Sequence, residues 1–270
     1  MGALHAGHIS LMALARKHAK RVAVSIFVNP TQFAANEDFG KYPRPVESDL
    51  QLCEEAGVDL VFLPTAEEMY RPGLPEIIVD LPALTGVLDG AHRPGHFRGV
   101  CQVVAKLFNI VKPDSAIFGQ KDFQQLRILT AMAEALDFPI QIVPGPTVRE
   151  PDGLAMSSRN RYLSPTERER ALSISRGLFA AEADVQRGIR DTSRLNTMIQ
   201  HLLLKQHLSI DYVTAVDPLT LKKVEAVNGP TVLAVAARVG TTRLIDNVIV
   251  EGPLPTPAPS VLNAGERGDA

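Results

Sequence analysis

The sequence lacks the features that mark membrane-spanning, secreted and general nucleic-acid-binding proteins. Its 28 Lys and Arg residues are balanced by 30 Asp and Glu residues, which gives a formal net charge of −2. This balance excludes the strongly basic surface that binds nucleic acid or anionic membranes, so any anion site is local. The sequence has no apolar run of about 18 residues and no segment of the signal-peptide type. We therefore expect a cytoplasmic protein that binds neither membranes nor nucleic acid.

Cysteine is also scarce. The two cysteines, Cys53 and Cys101, lie far apart in the sequence and lack the spacing of metal ligands. We expect buried, reduced thiols rather than a disulfide.

Hydrophobic residues make up 45% of the 270 positions, and no internal repeat is present. The chain is therefore large enough for one large core or two smaller ones.

The first half of the sequence alternates between helix and strand patterns. Residues 21–28 are rich in β-branched side chains and predict a strand buried on both faces. The other predicted elements of this half are helices at 9–20, 46–56, 97–111 and 123–136, and strands at 60–63, 116–118 and 140–143. Strands that alternate with such helices form βαβ units, so we expect a doubly wound parallel sheet of the Rossmann-like type.

The pattern changes after residues 144–153, which are rich in turn formers. Ser164, Pro165 and Glu167 then predict the start of a helix that continues to about residue 186. A second helix is predicted at 192–204, and strands at 211–216, 231–237 and 242–250. We predict a Rossmann-like domain at 1–146, a smaller α+β domain at 147–251 and a disordered tail at 252–270.

The first candidate site is the stretch MGALHAGH, in which His5 and His8 lie at the start of the first predicted helix. A helix N-terminus offers unpaired N–H groups and partial positive charge, which suit a phosphate. Histidine donates to phosphate oxygens, and Gly7 allows a ligand to approach the backbone. The alternative is a pair of surface histidines near a flexible terminus.

The second candidate, FGQKDFQQ, follows a predicted parallel strand and opens the next helix, where open α/β sheets bind ligands. Lys121 supplies a point charge for phosphates, Asp122 suits ribose, a metal or a helix cap, and Gln125 lies one turn into the helix. An ordinary capped helix start is the alternative interpretation.

Two further loops carry polar groups. LAMSSRNRY contains Ser157, Ser158 and Arg159, whose hydroxyls and forked cation form an anion clamp. SIFVNPTQF ends a predicted strand and contains Gln32, whose amide suits a small polar substrate. A solvated hinge and a turn residue are the respective alternatives. The conjunction of all these loops favours an enzyme that uses a nucleotide.

Taken together, these stretches resemble the pantoate–β-alanine ligase family of the nucleotidyltransferase superfamily, which carries an H-x-G-H signature. The resemblance covers residues 1 to about 250 and includes NEDFGKYPR, RPGHFRGV and VAKLFNIVKPD. It implies ATP-dependent condensation of pantoate with β-alanine through a pantoyl adenylate, with Mg²⁺, AMP and pyrophosphate as the other reaction components. It also implies a homodimer.

The resemblance implies roles for particular residues. His8 is then a catalytic residue with His5 as its partner, and Lys121 and Arg159 neutralise charge. Gln32 contacts pantoate and β-alanine, Gln125 contacts pantoate, and Asp49 is a candidate magnesium ligand. The ATP site comprises Met1, Gly2, Ala3, Leu4, His5, Ala6, Gly7, His8, Gly119, Gln120, Lys121, Asp122, Val148, Met156, Ser157, Ser158 and Arg159.

The sequence departs from the family pattern in two places. Gln120 stands where the family usually has glutamate; we expect a mild effect if the backbone makes the contact. The family also has a central strand and a Pro-Thr pair before the H-x-G-H loop, and the sequence has neither before Met1. A sheet without that strand has unpaired edges on both neighbours. We therefore expect Met1 to be an internal methionine of a longer protein.

Two rival interpretations remain at this point. One is another H-x-G-H adenylyltransferase, acting on a phosphopantetheine or mononucleotide substrate; the Gln32 and Gln125 pair weighs against it. The other is a nucleotide-binding remnant or dimerisation partner without catalytic activity, which would bind ATP without turning it over.

Overall fold

The computed structural model describes residues 2–33, 38–40 and 42–252. Met1 and all of the predicted tail except Gly252 lie outside the described residues. The helices are α1 (Ala6–His18), α2 (Val46–Glu55), α3 (Ala66–Met69), α4 (Pro82–Thr85), α5 (Leu88–His92), α6 (His96–Val111), α7 (Phe123–Ala135), α8 (Pro165–Gln186) and α9 (Thr192–Lys205). The strands are β1 (Ala23–Ser25), β2 (Leu60–Phe62), β3 (Ser115–Gly119), β4 (Gln141–Gly145), β5 (Ser209–Val216), β6 (Thr231–Val239) and β7 (Thr242–Val250).

The first four strands form two parallel pairs, β1 with β2 and β3 with β4. The predicted parallel α/β class is therefore confirmed. Among the residues described, no ladder joins β1 to β3, and both strands line a cavity of about 880 Å³. Helix α1 spans this break, because it packs on β3 and β4 while its Met12 shares a hydrophobic cluster with Val24 of β1. The interruption agrees with the expectation of a sheet that lacks one strand.

Strand β1 is shorter than predicted, and it is not buried on both faces. Val22, Val24 and Ile26 are buried, whereas Ala23 is exposed and Phe27 is half-buried. Alternate residues of a strand point to opposite faces. One face packs in the cluster that contains Met12, while Ala23 and Phe27 line the cavity. The expectation was wrong because an apolar β-branched run does not show whether both of its faces have a partner.

The second half of the chain forms an antiparallel sheet in the order β5-β6-β7, covered by α8 and α9. The predicted α+β organisation is confirmed. Helix α8 begins with the expected capping box: Glu167 N donates to Ser164 Oγ at 3.3 Å, and Ser164 N donates to Glu167 Oε2 at 2.9 Å. Val216 and Val232 of this sheet share a hydrophobic cluster with α6 and α7, so the two halves are packed together. The boundary at residue 146 stays a prediction.

Both cysteines are buried and free, as predicted. Burial raises the pKa of Cys101 to about 12 and also raises the pKa of Cys53. These thiols are therefore protonated at neutral pH and are poor nucleophiles. Within the described ranges, every helix is too short or too polar to cross a bilayer.

Packing between α8, α9 and the antiparallel sheet predicts a large effect of truncating Leu195, which is 0% exposed on α9. Leu195→Ala removes buried methyl groups and leaves a cavity, so we expect the free energy of unfolding to fall by about 2–5 kcal/mol. Urea unfolding followed by circular dichroism measures this change. Leu204→Ala is the matched control, because Leu204 lies on the same helix but is 56% exposed. Equal losses in the two variants would contradict the assigned packing.

Candidate active site

The loop before α1 is held by a buried carboxylate. Asp49, on α2, is 1% exposed; its Oδ2 accepts the Ala3 N–H at 2.8 Å and its Oδ1 accepts the Leu4 N–H at 2.7 Å. Ala3 has a left-handed φ of 51°, and these charge-assisted hydrogen bonds stabilise that backbone conformation. The loop that carries the two histidines is thus fixed to α2.

This geometry does not fit the magnesium role expected for Asp49. Both of its oxygens accept backbone N–H groups, and the carboxylate does not line the large cavity. Across the ranges the structure covers, no group of three or more His, Cys, Asp or Glu residues is arranged to hold a metal ion. We therefore assign Asp49 to the loop and not to a metal.

Helix α1 begins at Ala6, three residues earlier than predicted, because histidines cap it. Gly7 N donates to His5 Nδ1 at 3.2 Å, and His5 N donates to His8 Nδ1 at 3.2 Å. Each ring therefore accepts at Nδ1, so a neutral ring carries its proton on Nε2. A Cβ on Gly7 would lie 2.9 Å from His5 Cε1, so glycine is required for the ring to lie against the helix start.

Both histidines favour the neutral form. Burial, followed by the neighbouring His5 ring, lowers the pKa of His8 to about 3. Burial, followed by the positive charge of Lys121, lowers the pKa of His5. The rings lie with their centroids 4.1 Å apart at the N-terminus of α1. At neutral pH the rings are therefore uncharged, and each has one N–H that can donate a hydrogen bond.

Lys121 lies in the 3-10 turn Gln120–Asp122 between β3 and α7, at the carboxyl end of a parallel strand as predicted. Its Nζ is 3.7 Å from Asp122 Oδ1, and its side chain is 19% exposed. The backbone carbonyls of Gln120 and Lys121 accept hydrogen bonds from Asn247 Nδ2 at 3.0 and 2.8 Å. Gln125 follows in the first turn of α7 and faces the large cavity.

The third candidate loop is a 3-10 helix, Ser158–Tyr162. Ser157 Oγ accepts the Arg159 N–H at 3.2 Å, so this hydroxyl caps the turn. Ser158 Oγ lies 3.2 Å from Tyr42 Oη, within hydrogen-bond distance. Met156 N donates to Val148 O at 2.9 Å, which ties together the two sides of the segment that leads to this turn.

Gln32 ends the 3-10 turn Pro30–Gln32, which packs tightly against α6. A Cβ on Gly99 would lie 2.4 Å from Thr31 O, so only glycine permits this close approach. Asn29, 2% exposed, donates through Nδ2 to Gly99 O at 3.0 Å and to Gln32 Oε1 at 3.4 Å. The amide of Gln32 is thus positioned by buried contacts.

Most of the predicted site residues line one cavity of about 880 Å³. Its lining includes His5, Gly7, His8, Gln32, Gly119, Lys121, Asp122, Gln125, Val148, Met156, Ser158 and Arg159. The first and third candidate loops meet closely, since a Cβ on Gly7 would lie 3.6 Å from Met156 Cβ. The predicted site residues that do not line it are Gly2, Ala3, Leu4, Ala6, Asp49, Gln120 and Ser157, and Met1 lies outside the described residues.

Sequence reasoning missed several residues that support the site. Asn29 contacts Gln32, and Tyr42 contacts Ser158. His96 Nδ1 lies 2.8 Å from Gln32 O. Tyr42 and His96 belong to NEDFGKYPR and RPGHFRGV, the stretches used only for the resemblance. The family resemblance of these two stretches was therefore the sequence signal that could have identified Tyr42 and His96. Asn247 carried no signal, because its contact with Lys121 is made across 126 sequence positions.

Comparisons with known proteins agree with this geometry. The family model described as pantoate-beta-alanine ligase matches residues 1–249. The pantothenate synthetase of Acidobacterium capsulatum is 56% identical over 251 residues, which are 93% of this chain and 84% of the relative. Pantothenate synthetase 1 of Bradyrhizobium diazoefficiens is 53% identical over 93% of this chain and 88% of its own length.

Solved structures give the same result. The pantothenate synthetase of Thermus thermophilus superposes with a TM-score of 0.88 at 44% identity, covering 92% of this chain and 90% of the other. The Francisella tularensis pantoate-beta-alanine ligase, complexed with beta-gamma ATP and β-alanine, has a TM-score of 0.73 at 34% identity and covers 92% and 87%. By sequence and by fold, this chain belongs to the pantoate–β-alanine ligase family.

Proposed function

We propose that this chain condenses pantoate with β-alanine in an ATP-dependent reaction that passes through a pantoyl adenylate. The overall condensation is supported by the chain's membership of the ligase family. The observation that supports the adenylate route is the cavity lined together by His5, His8, Lys121 and Arg159. Two cations and two N–H donors facing one space suit a reaction in which two anions must meet.

In the first step, a carboxylate oxygen of pantoate attacks the α-phosphorus of ATP. The bond from that phosphorus to the bridging oxygen breaks, and pyrophosphate leaves with the electron pair. The carboxylate and the triphosphate repel each other, so Lys121 and Arg159 neutralise charge while the groups are held in line. Magnesium enters as part of the Mg–ATP substrate.

In the second step, the amine of β-alanine attacks the acyl carbon of the mixed anhydride. The bond from that carbon to the AMP oxygen breaks, the amine loses a proton, and pantothenate and AMP are formed. No covalent bond to the protein is required, in keeping with the protonated state of both buried cysteines. Enclosure in the cavity limits hydrolysis of the anhydride.

The two histidines act as neutral donors at the α-phosphate. Negative charge develops on the phosphate oxygens in the transition state, and preorganised N–H donors at a helix N-terminus stabilise it. The Nδ1 atom of His8 accepts the His5 N–H, so its remaining ring nitrogen carries the proton; the family resemblance makes His8 the principal donor. His5 is oriented in the same way by Gly7.

The remaining roles follow the family resemblance, and most of the residues concerned line the cavity. Gln32 and Gln125 contact pantoate, and Gln32 also contacts β-alanine. ATP binds along His5–His8, Gly119–Asp122, Val148 and Met156–Arg159, with the backbone of Gln120 in contact rather than its side chain. The Francisella relative, complexed with beta-gamma ATP and β-alanine, supports ATP and β-alanine as the substrates. A homodimer is proposed from the family resemblance alone, and a cytoplasmic location from the sequence features given above.

Exchange between ATP and pyrophosphate tests the first step directly. His8→Ala removes a transition-state donor, so we expect pantoate-dependent exchange to fall at least ~100-fold. The control is His201→Ala, because His201 is an exposed residue of α9. Undiminished exchange in His8→Ala would refute the role of His8. ATP binding by the wild type without any exchange would contradict the proposed function and favour a non-catalytic nucleotide-binding protein.

Gln125 provides a test of the pantoate site. Gln125→Ala removes an amide that binds pantoate but not ATP, so we expect the KM for pantoate to rise about 10-fold, equivalent to one lost hydrogen bond. Steady-state kinetics at saturating ATP and β-alanine measures this change. An equal rise in the KM for ATP would contradict the assignment of Gln125 to pantoate.

The low pKa of His8 predicts an unusual titration. The folded-state pKa is about 3 and the ordinary value for histidine is 6.5, so the unfolded chain binds this proton first. Acidification from pH 6.5 towards 3 therefore weakens folding through His8, and stability from this group is fully present above pH 6.5. Nitrogen-15 NMR should show a neutral ring protonated on Nε2 from about pH 8 to 5, with His8→Gln identifying the signal. A midpoint at the ordinary histidine value would contradict the assigned environment.

A further inference from the structure

Two adjacent residues of β7 reach two different loops of the active site. Asn247 is 4% exposed, and its Nδ2 donates to Gln120 O at 3.0 Å and to Lys121 O at 2.8 Å. One side-chain amide thereby holds both carbonyls of the turn that carries Lys121. The contact joins the antiparallel sheet to the carboxyl end of β3.

Asp246 holds the other loop. It is 4% exposed, and its carboxylate accepts two hydrogen bonds from Arg149, at 2.6 Å from Nη1 and 3.0 Å from Nη2. Arg149 also donates to Gly153 O at 3.2 Å and forms a β-bridge with Ala155. The paired fork of a guanidinium and a carboxylate fixes direction as well as distance. Asp246 therefore holds the segment that leads to Ser157 and Arg159.

Strand β7 fixes the position of Asp246 relative to Asn247, and so the position of one contact relative to the other. Successive side chains of a strand point to opposite faces, so Asp246 and Asn247 reach different segments from neighbouring positions. Their spacing is fixed further by a hydrogen bond of 2.8 Å from Asn247 N to Asp246 Oδ1 and by the pairing of both residues with β6. A cavity of about 10 Å³ lined by Lys121, Ser157 and Asp246 marks where the two loops meet.

A role in packing alone explains Asn247 poorly. Its Oδ1 is buried and has no hydrogen-bond partner among the residues that the structure describes. An unpaired buried oxygen destabilises a protein, whereas an apolar side chain of similar size does not carry this cost. The amide is therefore oriented for its two N–H donors, both of which serve the Lys121 turn.

We infer that Asp246 and Asn247 form a positioning pair that sets the distance between the two cations of the active site, Lys121 and Arg159. Asn247 fixes the backbone of Lys121, and Asp246 fixes the segment before Arg159 through Arg149. The pair does not touch the reacting atoms. This inference rests on the proposed function, in which both cations bind the phosphates of ATP.

The test compares three variants of the full chain. Asn247→Ala removes the donors to the Lys121 turn, and Asp246→Asn removes the ion pair with Arg149 while keeping the shape of the side chain. Val250→Ala is the matched control, because Val250 is a buried residue of the same strand, 3% exposed, in the core of the second half. Asn247→Leu, which has a similar size but no hydrogen-bond donor, replaces Asn247→Ala if the alanine variant does not fold.

Two readouts distinguish positioning from general stability. Steady-state kinetics gives the KM for ATP and for β-alanine, and hydrogen–deuterium exchange by mass spectrometry follows residues 118–125 and 149–159 without any substrate. We expect Asn247→Ala to raise the KM for ATP about 10-fold or more and the KM for β-alanine less than about 2-fold. We expect faster exchange at 118–125 in Asn247→Ala and at 149–159 in Asp246→Asn.

Each outcome decides the inference. If the Asn247 variant differs from Val250→Ala neither in the KM for ATP nor in exchange at 118–125, the positioning role is overturned while the proposed function stands. If the wild type itself shows no turnover, the proposed function fails, but hydrogen–deuterium exchange still tests the positioning role. Faster hydrogen–deuterium exchange confined to the loop that each residue contacts supports that role. Uniformly faster exchange across the chain overturns it.

Discussion

In the proposed reaction, repulsion between two anions is the constraint on which the site depends. A carboxylate and a triphosphate approach each other only where donors and cations surround both, and none of the loops that the structure describes supplies enough of them alone. The cavity instead gathers His5 and His8 from the start of α1, Lys121 from the end of β3 and Arg159 from the turn after residue 157. The parallel pairing of β3 with β4 and the packing of α1 on both strands bring the two histidines and Lys121 to one rim.

Positive groups that converge in this way repel one another. This repulsion is limited because the two histidines are uncharged. Burial and the adjacent Lys121 keep His5 in its neutral form by lowering its pKa, and burial lowers the pKa of His8 further. The ring nitrogens that face the backbone are occupied by N–H groups, so the remaining nitrogen is a donor. Neutral donors stabilise a developing negative charge without adding to the positive charge of Lys121 and Arg159.

Buried polar side chains hold the loops of this site. Asp49 fixes the loop before α1, Asn29 fixes Gln32, and Asp246 and Asn247 fix the loops of Arg159 and Lys121. Each of these side chains is almost fully buried, where a hydrogen bond is directional and little weakened by water. The side chains of the proposed site therefore lie on short turns or at the start of α1, and buried polar residues hold those segments in place.

Local sequence determined much of this protein. Helical periodicity, β-branched runs and the capping box at Ser164 predicted the long elements and the parallel class, and the four motifs hold residues that line one cavity. Tertiary structure alone decided the rest. The open face of β1 depends on what lies beside the strand, and Asp49 bonds to a loop 46 positions away. The physical reason is range: turns and helix periods depend on neighbours along the chain, whereas burial and the pairing of Asn247 with Lys121 depend on groups that only folding brings together.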